Sequence, residues 1–348
     1  MTSVLSLRSV IRTLLVSLLL GAVTGCAQPG GVTRFGGNTM GTTYEVTYWS
    51  TGKPVQGETR AVAALLEDIN QSLSTYIGTS LISRVNASSD TEAWHPIDAH
   101  FQTVFDRART IHRDTGGAFN PAVGPLVNAW GFGPAGPQAL PDDATIASLL
   151  EVAAFEAFQI RSSPPGVRKQ MARAQLDFSA IAKGYAVDAV AALLEKRGVE
   201  SYFVEIGGEL RTRGKHPEGR PWRVGIEQPA ESADMERRAR TVLSLNDSAL
   251  ATSGNYRNYR AQDGRKIVHI LNPRTGRPEM SSLLSVSVLA RDSMTADAYA
   301  TAFMVMGLDD ALRFVEARDE LEAYFIALDQ AGNYVERRST GFPQAMSP

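Results

Sequence analysis

The stretch 176-LDFSAIAKGYAVDAV-190, followed shortly by 201-SYFVEI-206, is where the chain changes character. Asp177 to Ser179 read as the N-cap region of a helix over about 181–197, which Arg197-Gly198 ends. Residues 201–206 are aromatic, β-branched and alternating, so they read as a strand. Before this point the apolar spacing is mainly helical; after it, short strands dominate. Helices first and strands later indicate an α+β fold, with no run of βαβ units.

Working outward, 42-TTYEVTYW-49 alternates like a strand. Apolar residues at helical spacing (Val62, Leu65, Leu66, Ile69, Leu73) predict a helix over 58–73, and further helices fit 98–114 and 143–156. The stretches 74–86 and 115–142 read as loops, the second long enough to be a binding loop. Toward the C-terminus, strands are expected at 222–227, 240–246, 265–271, 284–290 and 321–328. A helix capped by Asp292 or Ser293 covers 295–307, and a short one lies near 308–317.

The chain opens with Arg8 and Arg12, then an apolar run from Leu14 to Val23, then Val23-Thr24-Gly25-Cys26. This is the layout of an export signal, and its end resembles a lipobox, so Cys26 is the expected site of a lipid anchor. The apolar run is short for a membrane span, which takes about 20 residues. The expected organisation is a lipoprotein signal at 1–25, a Gly-rich tether at 26–37 and a catalytic body at 38–335. That body is one large unit or two intimately joined ones. Cys26 is the only cysteine, so no internal disulfide holds the fold. A net charge of −2 gives no electrostatic case for nucleic acid.

Several motifs could carry chemistry. In 295-TADAYATAFMVMG-307, Asp297 and Thr301 lie four apart and share a helix face in apolar company. Burying that carboxylate costs several kcal/mol, as an order of magnitude, unless its charge is compensated. Asp297 could instead be satisfied by free N–H groups of the first helical turn. Lys183 and Gly184, at a helix start, suit a phosphate as well as they suit an exposed capped helix. The paired glycines of 203-FVEIGGEL-210 and the small residues of 250-LATSGNYRNY-259 fit a ligand or a plain turn. His269, on a strand leading into an Asn-Pro turn, can be a general base or a structural histidine. Arg274 and Arg277 suit ligand phosphate or solvent.

Taken together and in order, these stretches resemble the ApbE family, the FAD:protein FMN transferases. The resemblance runs from about Met40 to Gly307. It rests on 40-MGTTYEV-46, 74-STYIGTSLISRVN-86, 117-GAFNPAVGPLVNAWGFG-133, 177-DFSAIAKGYAVD-188, 205-EIGGEL-210, 252-TSGNY-256, 268-VHILNPRTG-276 and 295-TADAYATAFMVMG-307. It implies a mixed, mostly antiparallel sheet with flanking helices. It also implies Mg²⁺-dependent cleavage of FAD, with FMN passed through a phosphoester bond to a threonine of a partner and AMP released. Met40, Tyr76, Ala118, Phe119, Asn120, Asp177, Lys183 and His269 would contact FAD. Asp297, Thr301 and the Ala180 carbonyl would hold Mg²⁺; Asp297, Lys183 and His269 would be catalytic, with His269 as base.

The implied acceptor carries a Ser/Thr-rich motif and belongs to a membrane redox complex, and the implied setting is a membrane-anchored lipoprotein facing the periplasm. Departures from the family pattern are Ala300, where some members have an acid, and Asn120, Asn272 and Glu209, where aspartate is common. The alternatives on the same scaffold are an Mg²⁺-dependent FAD pyrophosphatase giving FMN and AMP, and a non-catalytic FAD-binding lipoprotein.

Overall fold

The computed structural model describes residues 31–50, 57–229, 239–256, 259–262 and 265–344. The export signal, Cys26 and the first residues of the expected tether lie outside them. No helix among the described residues is long and apolar enough to cross a membrane.

An eight-stranded sheet organises the chain. Its order is Gly31–Thr39, Thr42–Ser50, Ser201–Ile206, Glu209–Arg213, Ala249–Gly254, Leu283–Ala290, Glu322–Leu328 and Tyr334–Arg338. Every pairing in it is antiparallel, so the α+β expectation is met and the sheet is antiparallel throughout. Alternation along the strands decides which face each side chain joins. Val46, Val204, Val286, Val288 and Phe325 face the main core. Leu210, Leu250, Leu289, Tyr324 and Ile326 face the other way.

Helices Glu58–Leu73, Ala99–Asp114, Ala182–Lys196 and Ser293–Met306 supply the other side of the main core through Leu66, Phe101, Val187 and Phe303. The opposite sheet face is covered by the ribbon of Trp222–Glu227 and Ala239–Leu245, through Val224, Ile226 and Leu243. A third apolar cluster, including Leu126, Trp130, Ile146 and Leu271, packs the 115–150 region against the turn after His269.

Two departures from the sequence reading matter. Residues 31–37 of the expected tether are strand, because Gly31–Thr39 pairs residue for residue with Thr42–Ser50. Two of its glycines serve close approach: a Cβ on Gly36 would stand 2.4 Å from the Tyr44 carbonyl oxygen, and one on Gly37 2.9 Å from the Tyr44 ring. The hairpin turns on Met40-Gly41, both at positive φ (50° and 73°), as a two-residue turn between twisted strands requires. The 74–86 stretch is also not all loop. Ser80 accepts from the Ser83 N–H at 3.1 Å and starts a helix over Leu81–Ala87.

Smaller differences follow the same logic. The 115–142 loop contains the short helix Gly124–Ala129, and the helix expected over 143–156 stops at Leu150. Beyond it, Phe158–Ser162 and Pro165–Lys169 form a hairpin joined by His95–Pro96.

Candidate active site

The site forms where two helices meet one end of the sheet. Lys183 and Gly184 open the helix Ala182–Lys196, and Asp297 and Thr301 lie on the buried helix Ser293–Met306. The helices touch at Gly184, where a Cβ would stand 2.2 Å from the Ser293 carbonyl oxygen and 2.8 Å from Asp297 Cβ. Only glycine lets the backbones come this close. The Gly184 N–H donates to Asp297 Oδ2 at 2.9 Å. Gly184 lies in the first turn of its helix, where a backbone N–H has no intrahelical acceptor, and Asp297 supplies one.

Asp297 is 3% exposed, and so is Glu209, which begins its strand just after the Gly207-Gly208 turn. Lys183 Nζ lies 2.7 Å from Glu209 Oε1 and 3.9 Å from Asp297 Oδ1. Glu209 Oε2 is buried without a hydrogen-bond partner among the described residues. Burial would lower the Lys183 pKa, but the facing Asp297 and Glu209 raise it, so the ammonium stays charged. Burial raises both carboxylates against the pull of Lys183, Glu209 to about 7 and Asp297 upward as well. One ammonium thus faces two buried carboxylates, and with both ionised the cluster carries an excess of negative charge that a proton or a bound cation would relieve.

The expected metal donors are hard oxygens. Thr301 Oγ1 is one turn from Asp297 and 3.0 Å from Ser253 Oγ, and the Ala180 carbonyl precedes Lys183. Among the described residues, no three His, Cys, Asp or Glu side chains converge as a self-sufficient metal site. A carboxylate, a hydroxyl and a carbonyl fit Mg²⁺, which takes few protein ligands and fills its shell with water and phosphate oxygens.

The other expected residues have partners of their own. The Tyr76 hydroxyl donates to the Phe132 carbonyl at 2.7 Å, and the Phe132 ring meets the His269 ring edge-on at 6.4 Å. Partial burial, then the charge of Asp177, raise the Tyr76 pKa, which places Asp177 near that ring. Tyr76 is nevertheless 65% exposed, an unusual exposure for a large aromatic. The Asp177 carboxylate accepts from the Ser179 N–H at 2.8 Å, and its own N–H donates to the Pro121 carbonyl at 2.7 Å. Met40 lies on its hairpin turn beside the Gly207-Gly208 turn, where Gly207 donates to the Thr43 carbonyl. Ala118 and Phe119 are buried, and the Phe119 carbonyl is 2.8 Å from His112 Nδ1.

The two asparagines have their own structural reason. Asn120 Nδ2 donates to the Ala153 carbonyl at 2.9 Å while Oδ1 accepts from the Ala122 N–H. Asn272 Nδ2 donates to Glu279 Oε2 at 2.8 Å while Oδ1 accepts from the Arg274 N–H. A carboxylate could make neither donation. Ala300 is fully buried in the main core.

Sequence similarity accounts for this arrangement. The profile described as "ApbE family" matches residues 40–325. The chain belongs to the ApbE family. The FAD:protein FMN transferase of Vibrio cholerae serotype O1 is 40% identical over 309 residues, spanning 87% of this chain and 89% of that protein. The FAD:protein FMN transferase of Haemophilus influenzae is 35% identical, over 92% of this chain and 93% of that one. Among solved structures, the flavin transferase ApbE from Vibrio cholerae superposes with a TM-score of 0.81 at 36% identity, covering 90% of this chain and 99% of that one. The Pseudomonas stutzeri flavinyl transferase ApbE in its apo form gives 0.80 at 34%, covering 90% and 96%.

Within this ApbE-family chain, sequence reasoning named Glu209 only as a departure from the family pattern and did not single out Ser253 or Asp188. The structure sets Glu209 against Lys183, Ser253 against Thr301 and Asp188 against the start of the Asp297 helix. Glu209 stood in plain view after the paired glycines but gave no sign of facing Lys183. Ser253 was one of several small residues in its stretch. Asp188, five residues beyond Lys183 on the same helix, accepts from the Ser293 and Met294 N–H groups at 3.0 and 2.8 Å. It thereby caps the Asp297 helix from the Lys183 helix.

Proposed function

We propose that this protein is an FAD:protein FMN transferase, acting on FAD and on a threonine hydroxyl of an acceptor protein. The observation that carries this reading is the buried Lys183–Glu209–Asp297 cluster, in a chain whose close relatives bear that activity in their names. The threonine oxygen forms a bond to the FMN-side phosphorus as the bond from that phosphorus to the AMP phosphate breaks. The hydroxyl proton passes to His269, and AMP leaves with the negative charge of the broken bond.

Each residue has a part in holding this chemistry. Met40, Tyr76, Ala118, Phe119, Asn120 and Asp177 line the flavin nucleotide, Asn120 through the backbone turn that its amide fixes. Lys183 stays charged beside the phosphates and offsets charge developing on the leaving group. Asp297, Thr301 and the Ala180 carbonyl would hold Mg²⁺. When bound, that ion supplies positive charge opposite the phosphate oxygens.

The setting is also part of the proposal. The order of Arg8, Arg12, apolar run and Cys26 supports a lipid-anchored protein facing the periplasm. There it would serve a Ser/Thr-rich segment on a subunit of a membrane redox complex. The test is to incubate the protein with FAD, Mg²⁺ and such an acceptor domain, and to locate the added mass by peptide mass spectrometry. FMN esterified to a threonine supports transfer. Free FMN and AMP with an unlabelled acceptor would replace it with the pyrophosphatase reading.

A further inference from the structure

Glu209 is placed with more care than a spectator acid requires. It is the first residue of its strand, fixed by pairing with Ile206 across the Gly207-Gly208 turn. From there one carboxylate oxygen reaches Lys183 at 2.7 Å, well inside the distance of a charge-assisted pair. The same ammonium stands 3.9 Å from Asp297 Oδ1, too far for a hydrogen bond. The other Asp297 oxygen is fixed by the Gly184 N–H. The oxygen with the looser partner is therefore the one facing Lys183.

We propose that Glu209 is a positioning residue: it holds the Lys183 ammonium off Asp297 and so keeps Asp297 Oδ1 available to a divalent cation. The inference rests on the reading of Asp297 as a metal ligand. Lysine has a flexible four-carbon stem, so its head group settles on whichever anion attracts it most. With the charge at Glu209 removed, Asp297 is the nearest anion, and closing about 1 Å would make a direct pair. The ammonium and the cation would then compete for one oxygen. With Glu209 present, Lys183 is left charged beside the phosphate position but does not neutralise the ligand.

Two other accounts of Glu209 predict different behaviour. As a direct metal ligand through its unpartnered Oε2, it would act on the cation whether or not Lys183 is present. As a purely structural group, it would change folding without changing metal affinity.

The experiment titrates Mn²⁺, as a probe for Mg²⁺, into the metal-free protein without FAD, reading free Mn²⁺ by electron paramagnetic resonance. Wild type, Glu209→Gln, Lys183→Met, the double variant, Asp297→Ala and Glu209→Asp are compared. Glu209→Gln is expected to weaken Mn²⁺ about tenfold or more. In the Lys183→Met background the same change is expected to matter by less than about threefold, the signature of an effect carried through Lys183. Glu209→Asp, which keeps the charge, is expected to retain most of the affinity, and it decides the matter should the glutamine variant not fold.

Equal losses in both lysine backgrounds would overturn the proposal in favour of direct ligation. Undiminished affinity in Glu209→Gln, or a Glu209→Asp loss as large as a full loss of charge, would overturn it outright. Wild-type binding that Asp297→Ala does not weaken would overturn the metal reading and this inference with it. Binding lost in Asp297→Ala but unmoved in Glu209→Gln would overturn this inference alone.

Discussion

The Gly184 N–H and Asp297 Oδ2, 2.9 Å apart, join the helix that presents Lys183 to the helix that presents Asp297 and Thr301. A carboxylate in an almost wholly apolar helix is thus partly satisfied by a backbone donor borrowed from its neighbour. That donor lies in the first turn of its helix, where it has no intrahelical acceptor. Backbone packing and carboxylate anchoring are therefore one arrangement.

Gly184→Ala tests that arrangement. On an exposed helix the change would stabilise by about 1 kcal/mol through helix propensity. Here the new Cβ meets the Ser293 carbonyl and Asp297 Cβ, so a loss of about 3 kcal/mol is expected from overpacking. Urea denaturation measures it. A midpoint that stays put or rises would contradict the helix contact.

Asp188 gives a pH dependence. Burial raises its pKa from 3.8 to about 6; the Met294 and Ser293 N–H groups and Arg211 oppose that rise, and Asp292 adds to it. The folded state therefore binds this proton more tightly than the unfolded chain. Its contribution is complete below about pH 4 and is lost as pH rises through about 6, up to about 3 kcal/mol. Denaturation midpoints across that window should fall in the wild type and fall less in Asp188→Asn. Parallel profiles would contradict the assignment.

His269→Ala separates binding from proton transfer. Removing a general base costs about 10²–10⁴-fold in rate, while FAD affinity, read by flavin fluorescence, should change only a few-fold. An unchanged rate of FMN transfer would remove His269 from the base role.

Asn120→Asp tests why an asparagine stands there. The amide donates to the Ala153 carbonyl, and a carboxylate would set two acceptors against each other. A loss of about 1–3 kcal/mol is expected, read as a lower melting temperature. An unaltered melting temperature would show that the donation contributes nothing.

The sequence was most legible where structure is local. Val62, Leu66, Ile69 and Leu73 mark a helix by spacing alone, and the structure places it at Glu58–Leu73 as expected. The Lys183 helix start and the Asp297–Thr301 spacing were readable for the same reason. Gly31–Thr39 was obscured because its glycines resemble a flexible linker, whereas Gly36 and Gly37 let Tyr44 approach. The hairpin at 158–169 was obscured by its short length and its Ser-Ser-Pro-Pro-Gly interior. Lys169 is buried and donates to the Asn86 and Ala174 carbonyls, a placement that no spacing rule announces. Glu209 was illegible for a different reason. Its partner lies on another element, brought near only by sheet register and helix packing.

The most direct test of the account follows FMN transfer from FAD to an acceptor threonine in the presence of Mg²⁺, comparing wild type with Asp297→Ala. A covalently flavinylated acceptor and equimolar AMP are expected from the wild type. In the variant, transfer is expected to fall by about 10²-fold or more, and neither protein should transfer once Mg²⁺ is chelated. Transfer by Asp297→Ala at the wild-type rate, or wild-type transfer that survives chelation, would contradict it.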